Sequence, residues 1–145
     1  MYIAYPALFY YDSEESIKYY VYFPDFGSSG TQGTNVADAM KMAADWLGIV
    51  AADYLDNGHE LPASSNLNDV SLANDNPFKQ EPDFTLTYDP NRSFKSMVPV
   101  DLEKYLNNNK PVKKTLTIPK WADTMGKKKK VNFSKLLTEA ISKAN

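Results

Sequence analysis

IKYYVYFPDFGSSGTQGTNVADAMKMAADWL, residues 17–47, changes its hydrophobic period part-way along. Ile17, Tyr19, Val21 and Phe23 alternate with Lys18, Tyr20 and Tyr22, and aromatic or β-branched residues at period two are the pattern of a strand. GSSGTQGT, residues 27–34, is a turn, with Thr31 and Gln32 forming a short third strand. From Thr34 onward the period becomes that of a helix, with Thr34 as the expected N-cap. Val36, Met40, Ala43, Leu47, Val50 and Tyr54 then fall on one stripe, read as core, and Gly58 ends the helix.

Working outward, YPALFYYD at 5–12 reads as a preceding strand, joined to the next by the turn SEES at 13–16. Residues 59–92 are rich in Pro, Asn, Ser and Asp and read as a surface loop or a loosely ordered excursion. SFKSMVPV, residues 93–100, reads as another strand, with Pro99 demanding an edge or a strand end. DLEKYL is a turn or short helix. The order β-β-β-α-β predicts an α+β domain over 1–106, with the helix on one face of a sheet. A linker at 107–112, opening NNNKP, leads to a second unit at 113–145.

That second unit opens with KKTLTIPKW, residues 113–121. As a strand, over 114–118, it puts Leu116 and Ile118 on one side and Lys113, Thr115 and Thr117 on the other. Pro119 is expected at the first position of a short helix with Trp121, Ala122 and Met125 as its apolar face. Gly126 and the lysines after it make the second turn of that helix weak and exposed. Asn132 caps a second helix with Phe133, Leu136, Leu137, Ala140 and Ile141 as its stripe. One short strand leaves its backbone unsatisfied, and two short helices bury too little. A two-fold dimer solves both problems, with strands paired antiparallel above interlocked helices. The outward ribbon of Lys113, Thr115 and Thr117 fits a DNA major groove. The helix start at Asn132, Phe133 and Ser134 suits a phosphate, and Lys127 to Lys130, Lys128 and Lys130 among them, suit further phosphate contacts.

Charge is divided the same way. Net charge is −2 over 145 residues, yet residues 110–145 carry ten lysines and two acids, +8, and residues 1–109 carry −10. A basic end suits a polyanion and an acidic body suits a basic protein, with a plain solvated lysine-rich end as the alternative. Asp12, Glu14 and Glu15 in the first hairpin turn, and Asp25 after the second strand, are the candidate acids for such a partner, or else solvated turn charges. The chain has no cysteine, which fits a reducing, cytoplasmic setting. MYIAYPALFYYD lacks a basic leader, and no apolar run approaches the roughly 20 residues of a membrane span.

Catalysis lacks a motif. No HExxH, DxDxDG or GxSxG pattern is present, GSSGTQG lacks the lysine of a P-loop, and His59, the one histidine, follows the helix end. No catalytic residue, metal ligand or cofactor is expected.

Two motifs in order carry a resemblance. YYVYFPDFGSSGTQGT followed by VADAMKMAADWL resembles the N-terminal signature of HicB-type antitoxins. VDLEKYL, KPVKKTLTIPKW and NFSKLLTEA resemble the HicB form whose C-terminal domain is ribbon-helix-helix. The resemblance spans nearly the whole chain except 59–92. It implies a truncated RNase-H-like domain that binds HicA, a small basic mRNA-cleaving toxin using a histidine. It also implies a dimerising domain that binds operator DNA and represses the operon, with Lys113, Thr115 and Thr117 reading bases. Body–body contacts would add a tetramer. The sequence departs from the pattern in lacking a proline-glycine step in GSSGTQG, in Ala122, and in Gly126 before KKKK. The alternative is a stand-alone ribbon-helix-helix regulator with a sensor body.

Overall fold

A computed structural model describes residues 1–27, 29–106 and 111–144. The chain divides into two compact units, Met1–Asn109 and Lys110–Asn145. The first four residues of the linker expected at 107–112 lie outside the described residues.

The first unit is a four-stranded antiparallel sheet with one long helix. Its elements are β1 (Tyr2–Tyr11), β2 (Tyr19–Tyr22), β3 (Thr31–Gly33), α1 (Val36–Asp56) and β4 (Phe94–Asp101). The strand order is β3-β2-β1-β4. β1 is central, pairing Phe9 with Val21 on one side and with Phe94 on the other. Every residue from Tyr5 to Tyr11 is buried, as expected of a strand covered on both faces. Ala7, Phe9 and Tyr11 face the core under α1 with Val21, Phe23 and Leu47, and Leu8 and Tyr10 face the opposite side.

α1 is capped one residue later than expected. Asn35, not Thr34, is the N-cap, and its Oδ1 accepts from the Asp38 amide at 2.9 Å. Thr34 donates its amide to Asp38 Oδ2 at 2.8 Å, so Asp38 reaches back and Asn35 reaches forward. The expected stripe packs on the core except for Val36, and further small residues are buried alongside it. Ala39, Ala43, Leu47, Gly48, Ala51 and Ala52 are buried, Val36 is exposed, and Met40, Val50 and Tyr54 are half-buried. The first turns of the helix run close to β3. A Cβ on Gly33 would sit 2.4 Å from the Ala39 Cα. Gly58 ends the helix as expected. It adopts φ +74° and donates to Leu55 O, while the His59 amide donates to Tyr54 O.

Segment 59–92 has little regular structure but is not a loose excursion. It lies across the second face of the sheet and places Val70, Leu72, Leu86 and Tyr88 over Leu8 and Tyr10. Lys95 Nζ donates to Leu67 O at 3.0 Å and Val70 O at 2.8 Å, and Tyr10 Oη donates to Leu72 O at 2.7 Å. The Asp89 amide donates to Tyr11 O at 2.8 Å. These bonds satisfy backbone groups that a free loop would give to water. β4 is an edge strand, as Pro99 required. The Leu102 amide donates to Met1 O, so even-numbered residues of β4 face β1 and the missing amide of Pro99 falls on the open edge.

The second unit holds α2 (Lys120–Lys128) and α3 (Phe133–Ser142). Pro119 is the N-cap of α2 rather than its first residue. The strand expected at 114–118 does not form in the single chain, where that stretch joins no ladder. A strand exists only through its neighbour's hydrogen bonds, and none is supplied within one copy. Gly126 is also not the weak, exposed position expected. It is buried, and a Cβ there would lie 2.4 Å from Phe133 Cζ, so the glycine makes room for that ring.

Candidate functional site

The four candidate acids of the first unit divide by what they hold. Asp12 shapes the β1–β2 turn: its Oδ1 accepts from the Glu14 amide at 2.9 Å, and its own amide donates to Lys18 O. Asp25 ties segment 59–92 to the sheet, accepting from the Ser65 amide at 2.9 Å and from its hydroxyl at 2.5 Å. Glu14 and Glu15 are the two left exposed on the turn. The Asp25–Ser65 link was invisible in the sequence because the partners are 40 residues apart.

A second missed feature is the tyrosine layer beneath the loop. Burial pushes the Tyr10 phenol far above its ordinary value, helped by Tyr88, Asp75, Tyr22 and Tyr20. Burial also raises Tyr20 and Tyr22. On the α1 side of the sheet, at the end of β1, Arg92 lies over the Tyr11 ring at 4.0 Å and donates to its hydroxyl at 2.8 Å. The alternation in IKYYVYFPD was the available signal, since it put tyrosines on both faces of the strand.

In the second unit Lys113, Thr115 and Thr117 are exposed. So are the apolar residues between and below them: Leu116 (57%), Ile118, Trp121 (68%), Leu136, Leu137 and Ile141 (65%). Asn132 caps α3 as expected, its Oδ1 accepting from the Lys135 amide at 3.0 Å. Phe133 and Ser134 open the helix, and the Phe133 ring rests at Gly126. Lys127 pairs with Asp123 at 2.9 Å, while Lys128 and Lys130 are exposed around the turn between the helices. Lys130 adopts φ 54°, which reverses the chain there.

Among the described residues, no group of three or more His, Cys, Asp or Glu gathers as a metal site, and no helix is long and apolar enough to cross a membrane. His59 sits exposed at the end of α1 against Tyr54.

The family model of the HicB-like antitoxin of bacterial toxin–antitoxin systems matches residues 4–73, from β1 through α1 into the loop. A chain in a solved toxin–antitoxin complex from Streptococcus pneumoniae is 49% identical, covers 98% of both chains, and superposes with a TM-score of 0.72. The chain belongs to the HicB-like antitoxin family. It is therefore an antitoxin and not an enzyme. The crystal structure of the Burkholderia pseudomallei antitoxin HicB shares the fold of this antitoxin, with 18% identity, 97% of each chain covered and a TM-score of 0.58. No curated protein matches it.

Proposed function

We propose that this antitoxin binds and neutralises a HicA-type mRNA-cleaving toxin through its acidic first unit, and represses its own operon through a dimeric basic second unit on operator DNA. It would act in the cytoplasm, where messenger and operator both lie. The toxin half rests on 49% identity, over nearly the whole of both chains, to a chain of a toxin–antitoxin complex. Glu14 and Glu15 are the acids free to meet a basic partner, whereas Asp12 and Asp25 act from behind by holding the turn and the loop. Complementary fields of this kind speed encounter and exclude wrong partners.

The DNA half rests on apolar residues that one chain leaves open. Leu116, Ile118, Leu136, Leu137 and Ile141 are exposed in the single chain. Full burial of a side chain of this size gains about 1.5–3 kcal/mol. A second copy would cover them and pair 114–118 as an antiparallel ribbon. Lys113, Thr115 and Thr117 of both copies would then face the groove. The α3 start at Asn132, Phe133 and Ser134, with Lys128 and Lys130, would contact phosphates. Contacts between first units would build such dimers into tetramers.

The test is fluorescence anisotropy of the purified protein on its own upstream DNA, beside a scrambled duplex, across a salt series. Selective binding that disappears with Thr115→Ala/Thr117→Ala supports the ribbon. Indifference to sequence overturns it. Co-purification with the basic protein of the adjoining reading frame tests the toxin half separately.

A further inference from the structure

Segment 59–92 contributes Val70, Leu72, Leu86 and Tyr88 to the core over the second sheet face, yet its two phenylalanines join neither core cluster. Phe78 and Phe84 pack on each other instead, with ring centroids 4.4 Å apart. The turns between them are closed by the backbone bonds Lys79 N–H to Asn76 O, Glu81 N–H to Phe78 O and Phe84 N–H to Glu81 O. Phe78 is half-buried, while Phe84 is 49% exposed, the one exposed phenylalanine among the described residues of the first unit. Glu81 and Asp83, on the same turn, are exposed, and the only cation there, Lys79, is engaged by Asp75 at 3.7 Å.

A ring outside both core clusters and half in water keeps much of its surface open to a partner. Large aromatics in that position are the side chains that anchor interfaces. The rim decides the partner. Two exposed carboxylates on the same turn repel an acidic surface and nucleic acid, and favour a lysine- or arginine-rich protein surface.

We propose that Phe84 is an anchor for a basic protein partner, with Glu81 and Asp83 as its charged rim. The partner is the toxin of the reading above, on which this proposal rests. It gives that toxin a second contact, on segment 59–92 rather than on the β1–β2 turn. Since 76–84 lies outside residues 4–73, the contact also lies outside the portion matched by the family model.

The test is calorimetric titration of the full chain with the purified basic protein from the adjoining reading frame, its essential histidine replaced. Wild type, Phe84→Ser, Phe84→Tyr and Glu81→Lys/Asp83→Lys are compared. Phe84→Ser is expected to weaken binding at least about tenfold, chiefly through faster dissociation, and Phe84→Tyr to retain it. Glu81→Lys/Asp83→Lys is expected to slow association and flatten its salt dependence. The thermal midpoint should stay with wild type in each. Wild-type binding that Phe84→Ser leaves unchanged overturns the anchor and leaves the toxin reading standing. Absence of wild-type binding overturns both. A Phe84→Ser chain that fails to fold contradicts the premise that the ring lies outside the core, and the charge variant then decides the rim alone.

Discussion

The two units treat their apolar residues in opposite ways. In the first, Phe9, Phe23, Leu8, Leu47, Val21 and Val98 are fully enclosed by the same chain, with a helix on one face of the sheet and an irregular segment on the other. In the second, Leu116, Trp121, Leu136 and Ile141 stay exposed although their spacing is as regular as any in the body. A regular apolar pattern thus predicts burial without saying what does the burying. About 110 residues suffice to close a core, whereas a segment near 35 residues usually needs a staple, a metal or a second copy.

The comparison breaks first at the tail. If the proposed dimer forms through this face, Leu137→Asp should abolish self-association in analytical ultracentrifugation and weaken binding to the proposed operator, while unfolding of the first unit keeps its midpoint. A variant that still dimerises would place the dimer contact elsewhere. In the body, Phe9→Ala should cost about 3–5 kcal/mol in urea unfolding, independent of protein concentration. Phe9 is fully buried and stacks on Phe94 at 4.5 Å.

Gly33→Ala probes the close approach of α1. Its Cβ would meet the backbone of Ala39, which cannot step aside, so a loss of about 1–3 kcal/mol is expected. Gly126→Ala is the counterpart in the tail and should cost less, because the atom it meets is the far end of the Phe133 ring. Equal losses would mean that the α2–α3 packing is as rigid as the body.

The smallest effect is set by pH. Burial and charged neighbours raise Tyr10, burial raises Tyr20 and Tyr22, and the hydrogen bond to Asp45 raises Tyr105. A raised phenol holds its proton in the folded chain while the unfolded chain releases it near pH 10. Stability from this source is therefore complete below about pH 10 and falls as pH rises above it. Tyr10→Phe should soften that fall in denaturant midpoints taken on either side of pH 10. An unchanged slope would remove the tyrosine layer as its source.

Much of the body was legible. Alternation placed β1, β2 and β4, Pro99 marked an edge, and Gly58 stopped the helix. Burial went against side-chain size in both units. α1 buries alanines and leaves Val36 in solvent, and Gly126 is the buried residue of α2. Small residues are buried where backbones come close, and closeness depends on the other element. Of the candidate acids, Glu14 and Glu15 stayed outward, but the work of Asp25 could not be seen without Ser65.

By itself the sequence determined what is local: strand and helix periods, the capping of α3 by Asn132, the turn at Gly58, and the separation of negative from positive charge. Tertiary structure alone decided which small residues line the helix–sheet contact and that segment 59–92 roofs the second face. It also decided that Phe84 is left out of both cores. The physical reason is range. Backbone preference and capping act over a few residues, whereas Lys95 meets Leu67, and Asp25 meets Ser65, across 28 and 40 residues of chain.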